Sequence, residues 1–85
     1  MANEKTIPVE VAYAKPEQQV IIPLQVKQGT TLIEAIKLSG ILSQFPEIDL
    51  DKNKVGIFGA IKPLSHKLVD GDRIEIYRPV SANSQ

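Results

Sequence analysis

One helical signal, in a chain otherwise patterned for strands, limits what this sequence can fold into. In QGTTLIEAIKLSGI, residues 28–41, Thr31 precedes an apolar run and Glu34 stands three positions on. That is the spacing of a capping box: the threonine hydroxyl takes a first-turn amide and the carboxylate reaches back. Leu32, Ile33, Ala35 and Ile36 form an apolar stripe, with Glu34 and Lys37 neighbours on the wet side. Gly40 is placed to take the left-handed conformation that ends a helix, with Ile41 folding back onto Ile36. The spacing predicts a helix over 32–39.

On either side of it the apolar residues alternate. Ile7, Val9, Val11 and Tyr13 share one face of a first strand, and Val20, Ile22, Leu24 and Val26 one face of a second. AKPEQQ, with Pro16, supplies the turn between them, so the two form an antiparallel hairpin. Pro23 has no N–H to give a ladder and assigns the second strand to a sheet edge. After the helix, residues 42–54 read as an irregular connection pinned by Phe45, Ile48 and Leu50. VGIFG is a short strand, AIKPLSHKL a second connection anchored by Leu64 and Leu68, and VDGD a turn. In that turn Asp70 is expected to bond backbone amides and Gly71 to adopt positive φ. RIEIYR closes the pattern, with Ile74 and Ile76 facing in and Arg73, Glu75 and Tyr77 facing out. A hairpin cannot bury its apolar face alone. Laying the helix across it and adding the two late strands beyond the first gives a two-layer α+β core, with the last strand parallel to the first.

Residues 1–6 are expected to be a flexible leader, 7–80 a single domain and 81–85 a flexible tail. The ten acidic and ten basic side chains cancel, which leaves no long-range field to steer the chain onto nucleic acid or an anionic membrane. There is no cysteine, which excludes disulfides, thiol catalysis and cysteine-ligated metal. The N-terminal stretch has no apolar signal region and no run is long enough to span a bilayer. The expectation is a cytoplasmic protein without membrane insertion.

The stretches VEVAYAKPEQQ (9–19), GTTLIEAIKLSGIL (29–42), IDLDKNKVGIFG (48–59) and LVDGDRIEIYRP (68–79) resemble the RnfH family, also called RatB, of small bacterial β-grasp proteins. KNKVGIFG and DGDRIEIYRP together are the specific part, and the resemblance runs from Val9 to Pro79. It implies a β-grasp, ubiquitin-like fold: a mixed four- to five-stranded sheet with one main helix packed on one face. The family is named for electron-transport genes and for neighbours of a ribosome-associated toxin, and both labels describe gene company rather than chemistry. Relatives usually continue past YRP into an arginine-rich tail, where this chain has the uncharged VSANSQ.

The β-grasp fold hosts unrelated functions, so residues must decide. Ubiquitin-type modifiers and sulfur carriers end in Gly-Gly, whereas this chain ends Asn83-Ser84-Gln85 with no glycine after Gly71. Neither conjugation nor sulfur transfer is expected. His66 is the lone histidine and sits in a polar connection without a second ligand or base. Asp70-Gly71-Asp72 reads as a turn, Asp49 and Asp51 as loop caps, and Gly56 and Gly59 as sites of close backbone approach. No catalytic residue, cofactor, metal or small-molecule substrate is expected, and the chain reads as a non-enzyme. What remains is binding. The sheet face away from the helix is the candidate partner surface, with Glu10, Ile21, Phe58, Arg73, Glu75, Tyr77 and Arg78 as its residues and a protein as its partner. The alternative is an RNA- or ribosome-associated module linked to a toxin–antitoxin-like system. It would use a patch of Lys52, Lys54, Lys62 and Lys67, which the zero net charge disfavours.

Overall fold

The computed structural model describes residues 5–14 and 18–78. The expected turn at AKPEQQ falls partly, and the flexible tail wholly, outside the described residues, as do residues 1–4 of the leader. Strand β1 (Thr6–Ala14) pairs antiparallel with β2 (Gln19–Lys27), and helix α1 (Leu32–Ser39) follows. A single turn α2 (Ile41–Gln44), then β3 (Val55–Ile57), β4 (Ala60–Ile61) and β5 (Arg73–Ile76) complete the order. The sheet runs β2-β1-β5-β3-β4, with β5 parallel to β1 and every other pair antiparallel. The last strand thus lies centrally, beside the first. Among the described residues no helix is long and apolar enough to cross a membrane.

Helix α1 has the predicted limits and caps. Glu34 N–H donates to Thr31 Oγ1 and Thr31 N–H donates to Glu34 Oε1, and these two bonds are the capping box. They hold the Glu34 carboxyl below its ordinary pKa, the backbone hydrogen bond from Thr31 contributing most. Gly40 at φ 79° closes the helix by donating its N–H to Lys37 O, and Ile41 then drops into the core that holds Ile36. The remaining first-turn amides are met from far along the chain. Leu32 N–H donates to His66 O at 2.8 Å and Ile33 N–H to Leu64 O at 3.0 Å. The connection carrying His66 is therefore a cap for the helix, supplied by main chain.

The inward faces of β1, β3 and β5 and the stripe of α1 enclose Val11, Leu32, Ile36, Ile41, Ile74 and Ile76, all fully buried. Each contributes about 1.5–3 kcal/mol by leaving water. Phe45, Leu50 and Leu64 pack against this core from the connections and Ile48 is buried in it, as expected.

Three local expectations are corrected. Thr6, expected in the leader, already belongs to β1. Residues 41–44 form the turn α2 rather than irregular chain, closed by Gln44 N–H to Gly40 O and Phe45 N–H to Ile41 O. It ends at Phe45, φ −129° and ψ 81°, because the residue before Pro46 is driven out of the helical region. Ala60–Ile61 form strand β4 rather than a connection, since Phe58-Gly59 is a two-residue hairpin turn with φ 48° and 86°.

Candidate interaction surface

Register decides which side chains share the face away from α1. Ile21 is opposite Ala12, Ala12 opposite Glu75, Glu75 opposite Gly56 and Gly56 opposite Ile61. Directly paired residues point to the same side, so these five form one row. Pro23, Glu10 and Arg73 form the next. Six of the seven expected surface residues, Glu10, Ile21, Phe58, Arg73, Glu75 and Tyr77, come together here. Arg78 departs from the set. It is exposed, and its charge is felt by Tyr13, which is buried on the helix side. Alternation beyond β5 turns it from Tyr77's side to the opposite one.

Three exposed apolar side chains stand out on this face: Phe58 at 64%, Ile61 at 59% and Ile21 at 41% exposure. Ile61 escapes sequence reading because β4 does. A signal was present, since Ile57-Phe58-Gly59-Ala60 carries a glycine at the second turn position of a two-residue hairpin.

The polar groups hold the face in shape. Glu75 Oε1 accepts Gly59 N–H at 2.7 Å and Tyr77 O–H at 2.6 Å, so one carboxylate ties the β3–β4 tip to the end of β5. Arg73 Nε donates to Glu10 Oε1 at 2.9 Å. Both side chains are about 40% exposed, and such a pair contributes only about 0.2–1 kcal/mol. Beside it lies an open groove of about 430 Å³, lined by Pro8, Pro23, Gln25 and Phe58 together with Glu10 and Arg73.

Burial first, and then the hydrogen bond and charge of Glu75, push the Tyr77 hydroxyl up to about 12. A raised folded-state pKa gives stability that is present below the ordinary tyrosine value near 10 and is lost as pH climbs to about 12. The expected result is a fall in Tm across that window that is shallower in Tyr77→Phe, measured by thermal melts at stepped alkaline pH. Equal slopes in the two proteins would refute the Glu75–Tyr77 coupling. Tyr13 is raised too, by burial and then by its hydrogen bond to Glu47, so some slope persists in the variant.

Other singled-out residues have structural positions. Asp49 Oδ1 accepts Asp51 N–H, the loop cap expected. In the VDGD turn it is Asp72, not Asp70, whose carboxylate takes an amide: Val69 N–H donates to Asp72 Oδ2 at 2.9 Å, and Asp72 is buried. Asp72 N–H closes the turn on Val69 O and Gly71 has φ 86° as expected, which leaves Asp70 outermost and exposed. Among the described residues no group of three or more His, Cys, Asp or Glu side chains is arranged to hold a metal. The four lysines do not form one patch. Lys62 N–H bonds Val55 O, beside Lys54, at the Tyr13 end of the sheet, whereas Lys67 pairs with Thr31 at the opposite end.

A mixed sheet with its last strand parallel to its first, clasping one capped helix, defines a ubiquitin-like β-grasp protein. A family model described as RnfH family Ubiquitin matches residues 7–85. Protein RnfH of Cereibacter sphaeroides is 58% identical over 77 residues, covering 91% of each chain. Protein RnfH of Hahella chejuensis is 60% identical over 76 residues, covering 87% of this chain and 79% of its own. The chain belongs to the RnfH family. Among solved structures it is similar to a 3D domain-swapped dimer of protein HI0395 from Haemophilus influenzae, at 54% identity and TM-score 0.60 over 89% of this chain and 95% of that one. A putative molybdopterin converting factor subunit 1 from Pyrococcus furiosus, 18% identical with TM-score 0.64, covers 87% of this chain and 99% of that one, and shares the fold.

Proposed function

We propose that this chain is a non-catalytic ubiquitin-like docking module that works in the cytoplasm and binds a protein partner through the outer face of its sheet. The observation that carries the reading is the exposure of Phe58 and Ile61 on the β3–β4 hairpin, 64% and 59% accessible, over a hydrogen-bonded frame, with Ile21 exposed on the same face at the far edge of the sheet. Exposed apolar side chains close together, as Phe58 and Ile61 are on this hairpin, mark interaction sites. Among the described residues Lys54 and Lys62 lie at one end of the sheet and Lys67 at the other, which supports a protein over RNA as the partner.

The test is retention of partners on the tagged protein from native extract, with and without nuclease, read by mass spectrometry, beside a sedimentation run that reports self-association. The expected result is a stoichiometric protein that survives nuclease and is lost on Ile61→Glu, with Tm nearly unchanged because Ile61 is exposed. Retention by Ile61→Glu equal to wild type would remove this face from the reading.

A further inference from the structure

Phe58 sits where a bulky residue is costly. At φ 48° it is the one non-glycine residue with positive φ among the described residues, followed by Gly59 at 86°. That first turn position favours asparagine, aspartate or glycine. No burial offsets the strain, because the ring is 64% exposed. The turn is nonetheless held firmly: Gly59 N–H is bonded to Glu75 Oε1, and Phe58 N–H donates to Arg73 O. A strained backbone carrying an exposed aromatic on a pinned tip is a feature that folding alone does not select.

We propose that Phe58 is the anchor that this tip inserts into an apolar socket on a partner protein, held out at the expense of the fold's own stability. This rests on the docking reading above and adds the chemistry of the contact. The charges around the tip select a protein over nucleic acid. Glu75 lies directly beneath it, and Arg73 is already paired with Glu10. The local balance of two carboxylates and one guanidinium repels phosphates. An apolar socket with a basic rim is the complementary surface.

Phe58→Asn tests both halves. It converts the turn to Asn-Gly, the preferred pair. It should raise Tm by about 4 °C or more while lowering retention of the wild-type partner by roughly tenfold or more, as expected for a central aromatic anchor. Phe58→Trp keeps an apolar ring and should retain the partner without the gain in Tm. An unchanged or lower Tm in Phe58→Asn would overturn the strain. Equal retention of the same partner by wild type and Phe58→Asn would overturn the anchor while leaving the docking face standing. If wild type retains no protein, or only ligands that vanish with nuclease, the docking reading and the anchor both fall.

Discussion

Gly56→Ala is expected to unfasten the β3–β4 hairpin and to cost on the order of 3 kcal/mol. A Cβ at position 56 would lie 2.2 Å from Ala60 O, 2.8 Å from Ala60 C and 3.1 Å from Ile61 Cα. All three are main-chain atoms of the paired strand, so no side chain can rotate away. The hairpin must open, and with it goes the bond from Gly59 N–H to Glu75. For a domain of this size the loss lowers Tm by roughly 10–20 °C. The measurement is a thermal melt with amide exchange across the hairpin: Lys62 N–H, bonded to Val55 O in wild type, should lose its protection. A melt within about 3 °C of wild type would show that the two strands part more easily than their geometry implies. Gly59→Ala makes the control. Nothing lies within 4 Å of where its methyl group would stand, so its penalty is that of φ 86° alone and should be smaller.

Asn53→Ala is the second large effect. Asn53 is 7% exposed and bridges two stretches of main chain. Its Oδ1 accepts Asp49 N–H at 2.8 Å and its Nδ2 donates to Tyr77 O at 2.9 Å. Truncation strands one donor and one acceptor, each at about 1–3 kcal/mol, so a loss of roughly 2–5 kcal/mol is expected in chemical denaturation. Asn53→Asp separates hydrogen bonding from packing. An ionised carboxylate still accepts from Asp49 N–H but meets Tyr77 O with a second acceptor, whereas the protonated form donates as the amide does. The folded state therefore raises the pKa of the introduced carboxyl, and stability should recover as pH falls through the carboxylate range. A pH-independent deficit in Asn53→Asp would mean that the Tyr77 carbonyl is met in another way.

The elements read from sequence are those whose cause is local. Helix α1 was legible because Thr31, Glu34 and Gly40 lie within the helix or at its ends, and their spacing states the caps. The edge position of β2 followed from one missing N–H at Pro23, and the inward and outward faces of β1, β2 and β5 from strict alternation. Strand β4 was hidden because two residues carry no period, and α2 because one turn before Pro46 resembles a loop. Ile61 was lost with β4, since the turn glycine Gly59 was the one local mark of the hairpin that carries it.

Arg78 illustrates the other limit. Sequence adjacency groups it with Tyr77, yet alternation past β5 sends the two to opposite sides. Within the turn before β5, Asp70 and Asp72 are equally good cappers on paper. The choice falls to Asp72 because Glu10 N–H bonds its carbonyl and holds it at the sheet, leaving Asp70 outermost.

Caps, period and composition act over a few residues, and from them alone follow the capped helix, the hairpin-led mixed sheet and the lack of a thiol. Tertiary structure alone decided that Phe58 and Ile61 share a face with Ile21 at the far edge of the sheet, that Asn53 joins Asp49 to Tyr77, and that Leu64 and His66 cap α1. Each of these depends on which distant main-chain groups face one another, and that is settled by burying a shared core rather than by any local spacing.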